Sequence, residues 1–467
     1  MNEEAEASDS MASRISPTLF REYDVRGVVD EDLTEEAVHL IAKGLGTMVR
    51  RTGGSQVVVG RDCRLSGGRF AAAAIAGFNA TGVDVVDLGV VPTPLTYFAA
   101  STLPVDGHCM ITGSHNPPQY NGLKVGVGKT TLYGAGIQEL RRVVEAGEFT
   151  RGEGTTRSRD AVTPYREHVL RSLKLGPRRL KVVVDAGNGT GGVVAVPLFQ
   201  ALGVEVVPLF VEMDGRFPNH HPDPTVEKNL EHLRRKVLEE GADVGVAYDG
   251  DADRVGAVDE RGGVLWGDQL MILFSRALLE ERPGAAVIGE VKCSMNLFGD
   301  VARKGGRPIM MKAGHSLVKA RMKEEGALLA GEMSGHIFFA DRWFGFDDGI
   351  YSSARLLELL SRADAPLSSL LADLPVTFAS PEIHVECPED RKFEVVRRAQ
   401  AWFAARHEVV TVDGVRVTFP DGWGLVRASN TQPLLVLRFE ATSERRLQEI
   451  AASMTARVEE LKKEVGA

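Results

Sequence analysis

The chain has 467 residues, 43% of them hydrophobic and 25% charged, and a formal net charge of −9 at pH 7. Its length exceeds one ordinary core and predicts three or four domains of about 100–200 residues each. The acidic balance argues against nucleic acid or an anionic membrane as partner, since both are recognised through excess basic charge, and no apolar run approaches the roughly 18 residues of a membrane helix.

Met1 to Arg14 is acidic and rich in Ser and Ala, with neither a basic n-region nor an apolar h-region. A disordered leader is expected there rather than an export signal. Cys63, Cys109, Cys293 and Cys387 are scattered and form no Cys-x-x-Cys pair, which argues against a disulfide framework or a structural zinc and for a reducing cytoplasm.

Three segments then repeat one plan of apolar strand, small polar loop, helix and second apolar strand. The first runs from Val57-Val58-Val59-Gly60 through a helix over Phe70 to Phe78 to Val83-Asp84-Val85-Val86. The second runs from Lys181-Val182-Val183-Val184 through a helix near Val194 to Leu202 to Val204-Glu205-Val206-Val207. The third runs from Ala286-Val287-Ile288-Gly289 through Met295 to Lys304 to Pro308-Ile309-Met310-Met311. Continuous apolar runs alternating with helical periods are the signature of buried strands in an α/β layer. Beyond about Pro375 the pattern changes. Val409 to Val412, Asp413-Gly414 and Val415 to Phe419 read as a hairpin whose Asp-Gly supplies a type I′ turn. Apolar stretches at Trp423 to Val426 and Leu434 to Phe439 precede a long amphipathic helix from Ser443 to about Val465. The expected fold class is α/β: three related α/β domains with mixed sheets (1–160, 161–263 and 264–375) plus a C-terminal α+β domain (376–467) around a central cleft.

Two clusters carry chemistry. Directly after Cys109-Met110-Ile111 comes Thr112-Gly113-Ser114-His115-Asn116-Pro117-Pro118, which puts a small hydroxyl on a tight loop. An ordinary polar turn uses the same residue types, and the G-x-S-x-G nucleophile elbow does not fit because Asn116 stands where its second glycine belongs. After the strand Asp243 to Tyr248 comes Asp249-Gly250-Asp251-Ala252-Asp253-Arg254. Carboxylates at alternate positions repel unless a cation offsets them, and hard oxygen donors suit Mg²⁺ or Ca²⁺. An EF-hand is the rival, with Glu260 at its twelfth position, but Arg254 occupies the place of the turn glycine and the flanks read as strands.

The two motifs together resemble the α-D-phosphohexomutase superfamily, and the match extends over nearly the whole chain. It includes Phe20-Arg21-Glu22-Tyr23-Asp24-Val25-Arg26-Gly27, Gly331-Glu332-Met333-Ser334-Gly335-His336 and Arg427-Ala428-Ser429-Asn430-Thr431-Gln432-Pro433. Any one hexapeptide could be accidental; their order and spacing are specific. The resemblance implies that Ser114 is a phosphoserine and that Asp249, Asp251, Asp253 and an oxygen of the Ser114 phosphate hold Mg²⁺. It makes Arg26 and Lys124 assistants of proton movement beside Ser114, with His336 also in a catalytic position. A lysine acting as base must lose its proton near neutrality, which needs burial or neighbouring positive charge. Glu332 and Ser334 match the family's sugar-recognition loop, where contacts to the 3- and 4-hydroxyls leave C2 unread and admit gluco and manno sugars. Tyr23, His115, Arg254, Lys292, His315 and His336 match substrate-contacting positions. Arg427, Ser429, Asn430 and Thr431 match the loop that clamps the non-reacting phosphate.

The activity so implied interconverts hexose 1-phosphates and hexose 6-phosphates of glucose and/or mannose through a hexose 1,6-bisphosphate, with a mobile fourth domain letting that intermediate turn over. The motifs look most like the bifunctional phosphomannomutase/phosphoglucomutase group. Phosphoglucosamine mutases, the near alternative, usually carry Ala in place of Gly113 and Gln in place of Met333. Readings from other classes are a phosphosugar-binding protein without catalysis and a metal-dependent phosphatase. The expected partner is a small phosphosugar, with the protein a monomer or homodimer.

Overall fold

The computed structural model describes residues 15–429 and 433–467. The leader expected over Met1–Arg14, and the candidate phosphate ligands Asn430 and Thr431, lie outside the described residues. The described residues form two compact units, one holding those up to Gly267 together with Ser334–Ser369, the other Asp268–Met333 with Leu370–Ala467.

In the first unit the valine run becomes strand Gln56–Arg61, parallel to Asp84–Val90 and Gly107–Ile111. Gly107–Ile111 in turn pairs antiparallel with Tyr120–Val127, which pairs antiparallel with Val25–Val28, so the sheet is mixed. Helix Glu35–Arg51 is capped by Thr34, with Glu35 and Glu36 in its first turn and Arg50 and Arg51 in its last, complementing the helix dipole. It meets helix Gly67–Asn79 so closely that a Cβ on Gly77 would lie 2.5 Å from the His39 carbonyl oxygen. A second mixed sheet places Lys181–Asp185 parallel to Glu205–Leu209 and Val244–Tyr248, the last antiparallel to Val255–Asp259. The loops expected to carry chemistry leave the carboxyl ends of parallel strands, where open α/β sheets receive ligands.

Helix Gly349–Arg362 belongs to this unit and is buried along most of its length. Its cap, Asp348, accepts from the Tyr351 amide at 2.8 Å and from the Tyr165 hydroxyl at 2.9 Å. Burial pushes the Asp348 carboxyl up to about 8. Because its folded-state pKa lies above the unfolded value, its contribution to stability is full below about pH 4 and is lost as pH rises towards 8. Asp348→Asn keeps a cap and removes that titration, so the wild-type advantage over the variant should shrink between pH 5 and pH 8. Urea unfolding at both pH values measures it; a pH-independent difference would contradict the assignment.

In the second unit Ala286–Glu290 lies between Arg307–Met311 and Leu329–Gly331, all parallel. The C-terminal part is an antiparallel sheet with Gly422–Ala428 between Val415–Phe419 and Leu434–Ala441, covered by helices Lys392–Ala404 and Glu444–Val465. Arg416, stacked 3.7 Å over Trp423, donates to the carbonyls of Val291 and Cys293 at 2.6 and 2.8 Å. Glu440 accepts from the Ser294 hydroxyl and the Met295 amide at 2.5 and 2.9 Å. These contacts, made from the two strands that flank the strand carrying Arg427, tie the C-terminal sheet to the loop that carries Lys292. Separating them would cost Arg416 and Glu440 these hydrogen bonds, while the Trp423 indole, which donates to Glu440 and stacks on Arg416, would remain.

The expected Asp-Gly turn is corrected. Val410 pairs with Arg416 and the strands end and begin at Val410 and Val415, so the connection spans 411–414, and among its residues only Gly414 has a positive φ. The Asp413 carboxylate is drawn instead to the Arg427 guanidinium at 2.9 Å. Residues 264–375 contribute to both compact units. Glu332 of the Gly331–His336 motif lies in the second unit, Ser334 and His336 in the first.

Candidate functional site

The loop after Gly107–Ile111 and the loop after Val244–Tyr248 meet face to face. A Cβ on Gly250 would lie 2.6 Å from the Ser114 carbonyl oxygen, so only glycine permits this approach. Ser114 has φ +50°, a left-handed conformation that costs a residue with a Cβ about 1 kcal/mol or more. Its amide donates to the Thr112 hydroxyl at 2.8 Å, and its own hydroxyl donates to Asp249 Oδ2 at 2.6 Å. His115 Nδ1 lies 3.2 Å from that hydroxyl. Burial, reinforced by Arg254 and Arg26, holds His115 well below the usual histidine range and keeps its ring neutral.

The Asp249, Asp251 and Asp253 carboxylates are fully buried and offer oxygens within 4.8 Å of one another. Ala252, at φ +58°, bends the chain between them, and the Arg254 amide donates to Asp249 Oδ1 at 3.1 Å. Asp251 Oδ2 accepts from the Thr93 hydroxyl at 2.5 Å and from Lys124 Nζ at 2.8 Å; Lys124 also bonds Asp253 Oδ2. Burial raises Asp249 and Asp253, as does the charge of Asp251. Asp251 itself is held low, because Lys124 and Thr93 overcome the opposing effect of burial. One ammonium therefore does not keep all three carboxylates ionised. Asp251 Oδ1 and Asp253 Oδ1 are buried with no hydrogen-bond donor. Hard oxygens left unsatisfied in a surplus of negative charge, with an ammonium already standing among them, are the donor set a small divalent cation takes.

Lys124 is 3% exposed; burial works against its charge, but Asp251 and Asp253 outweigh it and hold it well above the usual lysine range. These surroundings oppose the proton loss that a basic role requires. Arg26 donates to Asn116 Oδ1 at 2.9 Å and to Asp24 at 2.5 Å. Arg254 Nε donates to His336 Nε2 at 2.9 Å, which leaves the proton of a neutral His336 on Nδ1, 3.1 Å from Asp347 Oδ2. Tyr23 and Ser334 are half-buried in the same unit.

The remaining candidates lie in the second unit. Glu332 accepts from the Gly314 amide at 2.5 Å, just before His315 opens helix His315–Glu325. Lys292 Nζ donates to Glu382 at 2.8 Å and lies 3.8 Å from Glu290. Burial acts against the Lys292 charge, yet Glu290 and Glu382 raise its pKa. Burial also acts to raise Glu382, which Lys292 reverses, with smaller help from Arg438 and Arg427. Arg427 and Ser429 are both buried at the end of strand Gly422–Ala428. Thr93, Asp347, Glu382 and Asp413 were not singled out by sequence. Thr93 and Glu382 meet charged side chains 158 and 90 residues away, while Asp413 holds Arg427, 14 residues on, and Asp347 lies beside His336.

Family models for phosphoglucomutase/phosphomannomutase match in four consecutive pieces: alpha/beta/alpha domain I over residues 17–151, domain II over 163–263, domain III over 266–378 and the C-terminal domain over 382–457. A phosphomannomutase/phosphoglucomutase from Pseudomonas aeruginosa is 46% identical over 446 residues, 95% of this chain and 96% of that protein. A phosphoglucomutase from Neisseria meningitidis serogroup A is 44% identical over 452 residues, 96% of this chain and 98% of that protein. The crystal structure of a phosphoglucomutase/phosphomannomutase family protein from Burkholderia thailandensis superposes with a TM-score of 0.91 at 46% identity, covering 96% of this chain and 98% of that one. With all four pieces matched in order and relatives aligned nearly end to end, the chain belongs to the phosphoglucomutase/phosphomannomutase family.

Proposed function

We propose that the chain is a hexose phosphate mutase that interconverts the 1-phosphates and 6-phosphates of glucose and mannose by way of phosphorylated Ser114 and a hexose 1,6-bisphosphate, with Mg²⁺ as the cation. The observation that carries this reading is the approach of the Ser114 hydroxyl to within 2.6 Å of Asp249 in the buried three-aspartate loop. The names of the relatives support the choice of sugars.

In the first half reaction the bond between Ser114 Oγ and phosphorus breaks, a bond from phosphorus to the sugar 6-oxygen forms, the 6-hydroxyl loses its proton and Ser114 Oγ gains one. The second half runs in reverse on the other phosphate. Asp249, Asp251 and Asp253 would hold the cation together with an oxygen of the Ser114 phosphate. Bound there, the ion supplies neutralisation of the charge on the phosphoryl oxygens, the main requirement of a loose transition state. Lys124 and Arg26 act as cationic donors that orient the reacting oxygens, and neutral His115 holds the serine hydroxyl. His336, oriented by Asp347 and Arg254, is assigned to proton movement. Glu332 and Ser334 would read the sugar hydroxyls. Arg427 and Ser429, with Asn430 and Thr431, would hold the non-reacting phosphate by bidentate and neutral donors, and Tyr23, Arg254, Lys292 and His315 would contact the substrate. Four free cysteines fit a reducing compartment such as the cytoplasm.

Glucose 1-phosphate, mannose 1-phosphate and glucosamine 1-phosphate are to be offered in competition, with isomer formation and inorganic phosphate both measured. Turnover of the first two without phosphate release is expected. Preference for the amino sugar would favour a phosphoglucosamine mutase, phosphate release without isomerisation a phosphatase, and neither a binding protein.

A further inference from the structure

The Ser114 turn holds its left-handed conformation in a protein whose catalytic groups approach from other strands, so something beyond the turn's own residues must fix it. The side chain that does so follows strand Gln56–Arg61 in the sequence Asp62-Cys63-Arg64. The Arg64 side chain is fully buried. Nη2 donates to the carbonyls of Ser114 and Asn116 at 2.7 and 2.6 Å, and Nη1 to those of Pro117 and Tyr120 at 2.7 and 2.9 Å. Nε donates to Asp62 Oδ2 at 3.2 Å. The guanidinium has thus spent its whole fork of donors on the backbone of the turn and on one carboxylate. Asp62 completes the clamp from the other side: Oδ2 also accepts from the Thr112 hydroxyl at 2.8 Å and the Gly113 amide at 3.2 Å, and Oδ1 accepts from the Arg64 amide at 3.0 Å. The Phe217 ring lies 5.2 Å from the guanidinium carbon, and a Cβ on Gly113 would lie 2.5 Å from it.

We infer that Arg64 is a positioning residue for the proposed phosphoryl transfer, acting through the backbone of Ser114 to Tyr120 and not on phosphate. Carbonyls converging on one point repel one another; a planar cation with several donors holds them there, whereas an ammonium is a single point charge. Fixed in this way, the Ser114 hydroxyl faces Asp249 before any substrate arrives, which is where preorganisation lowers a barrier. The inference rests on the mutase reading for its kinetic consequence, but the ordering of the turn does not.

Arg64→Lys, which keeps charge and burial, tests it against wild type. The expected result is a fall in kcat of about a hundredfold, the scale of an ångström misplacement, with KM changed by less than about threefold. The amides of Ser114, His115, Asn116, Gln119 and Tyr120 should exchange hydrogen at least about tenfold faster while those of Val244–Tyr248 stay protected. In Arg64→Ala, free guanidinium at a non-denaturing concentration should restore part of kcat, a rescue that general loss of stability would not give. Wild-type kcat and exchange in a folded Arg64→Lys would overturn the inference, as would equal loss of protection in both segments. If Arg64→Ala does not fold, Gly113→Ala takes its place: it drives a methyl against the guanidinium, is expected to lower kcat with KM kept, and at wild-type kcat would overturn the inference. Absence of isomerisation in the wild type would instead refute the mutase reading, and the exchange measurement would still decide the role of Arg64.

Discussion

Ser114→Ala should abolish isomerisation, with a loss of about 10⁴-fold or more, the scale seen when the group that carries a covalent intermediate is deleted. The substitution removes one hydroxyl and leaves a Cβ in the same left-handed conformation, so the turn held by Asp62 and Arg64 remains. What disappears is the oxygen 2.6 Å from Asp249 that would carry the phosphoryl group. Intact-protein mass supplies a readout independent of turnover. Freshly purified wild type is expected to contain a species with one phosphate adduct, and Ser114→Ala none. Mutase turnover at the wild-type rate in the variant would remove Ser114 from the mechanism.

Removal of divalent cation should have an effect of similar size, and Asp251→Asn should reproduce much of it. Asp251 is the aspartate held ionised, by Lys124 and Thr93 against the effect of burial. Converting it to an amide leaves a neutral oxygen where the ion needs charge. Activity is expected to vanish in chelator and return with Mg²⁺ in wild type, and to fall about 10²–10³-fold in the variant even with Mg²⁺ present, the cost of one lost electrostatic stabiliser. At a hundredfold excess over its dissociation constant Mg²⁺ should stabilise wild type by about 2.7 kcal/mol. Thermal melts with and without the ion measure this in the absence of substrate. An equal Mg²⁺ shift in Asp251→Asn would place the ion elsewhere.

The strands were legible because burial on both faces demands continuous apolar sequence: Val57 to Gly60, Lys181 to Val184 and Ala286 to Gly289 all fall in observed strands. The long terminal helix was legible from its spacing and was found over Glu444–Val465. The hairpin turn was not, because Asp413 serves Arg427, 14 residues on, and a side chain so engaged is invisible to local turn chemistry. Nor was the grouping of the four expected stretches into compact units: helix Gly349–Arg362 joins the first unit through contacts such as Asp348 with Tyr165, 183 residues away.

By itself the sequence determined which residues stand at the ends of the strands: a serine after Ile111 and alternating aspartates after Tyr248, residue types suited to phosphoryl transfer and a hard cation. Tertiary structure alone decided that these loops touch, that Gly250 is the point of approach, and that Lys124 is held charged by aspartates 127 and 129 positions away. Charge states and distances between side chains are sums over neighbours in space, and neighbours in space are what a linear order leaves unspecified.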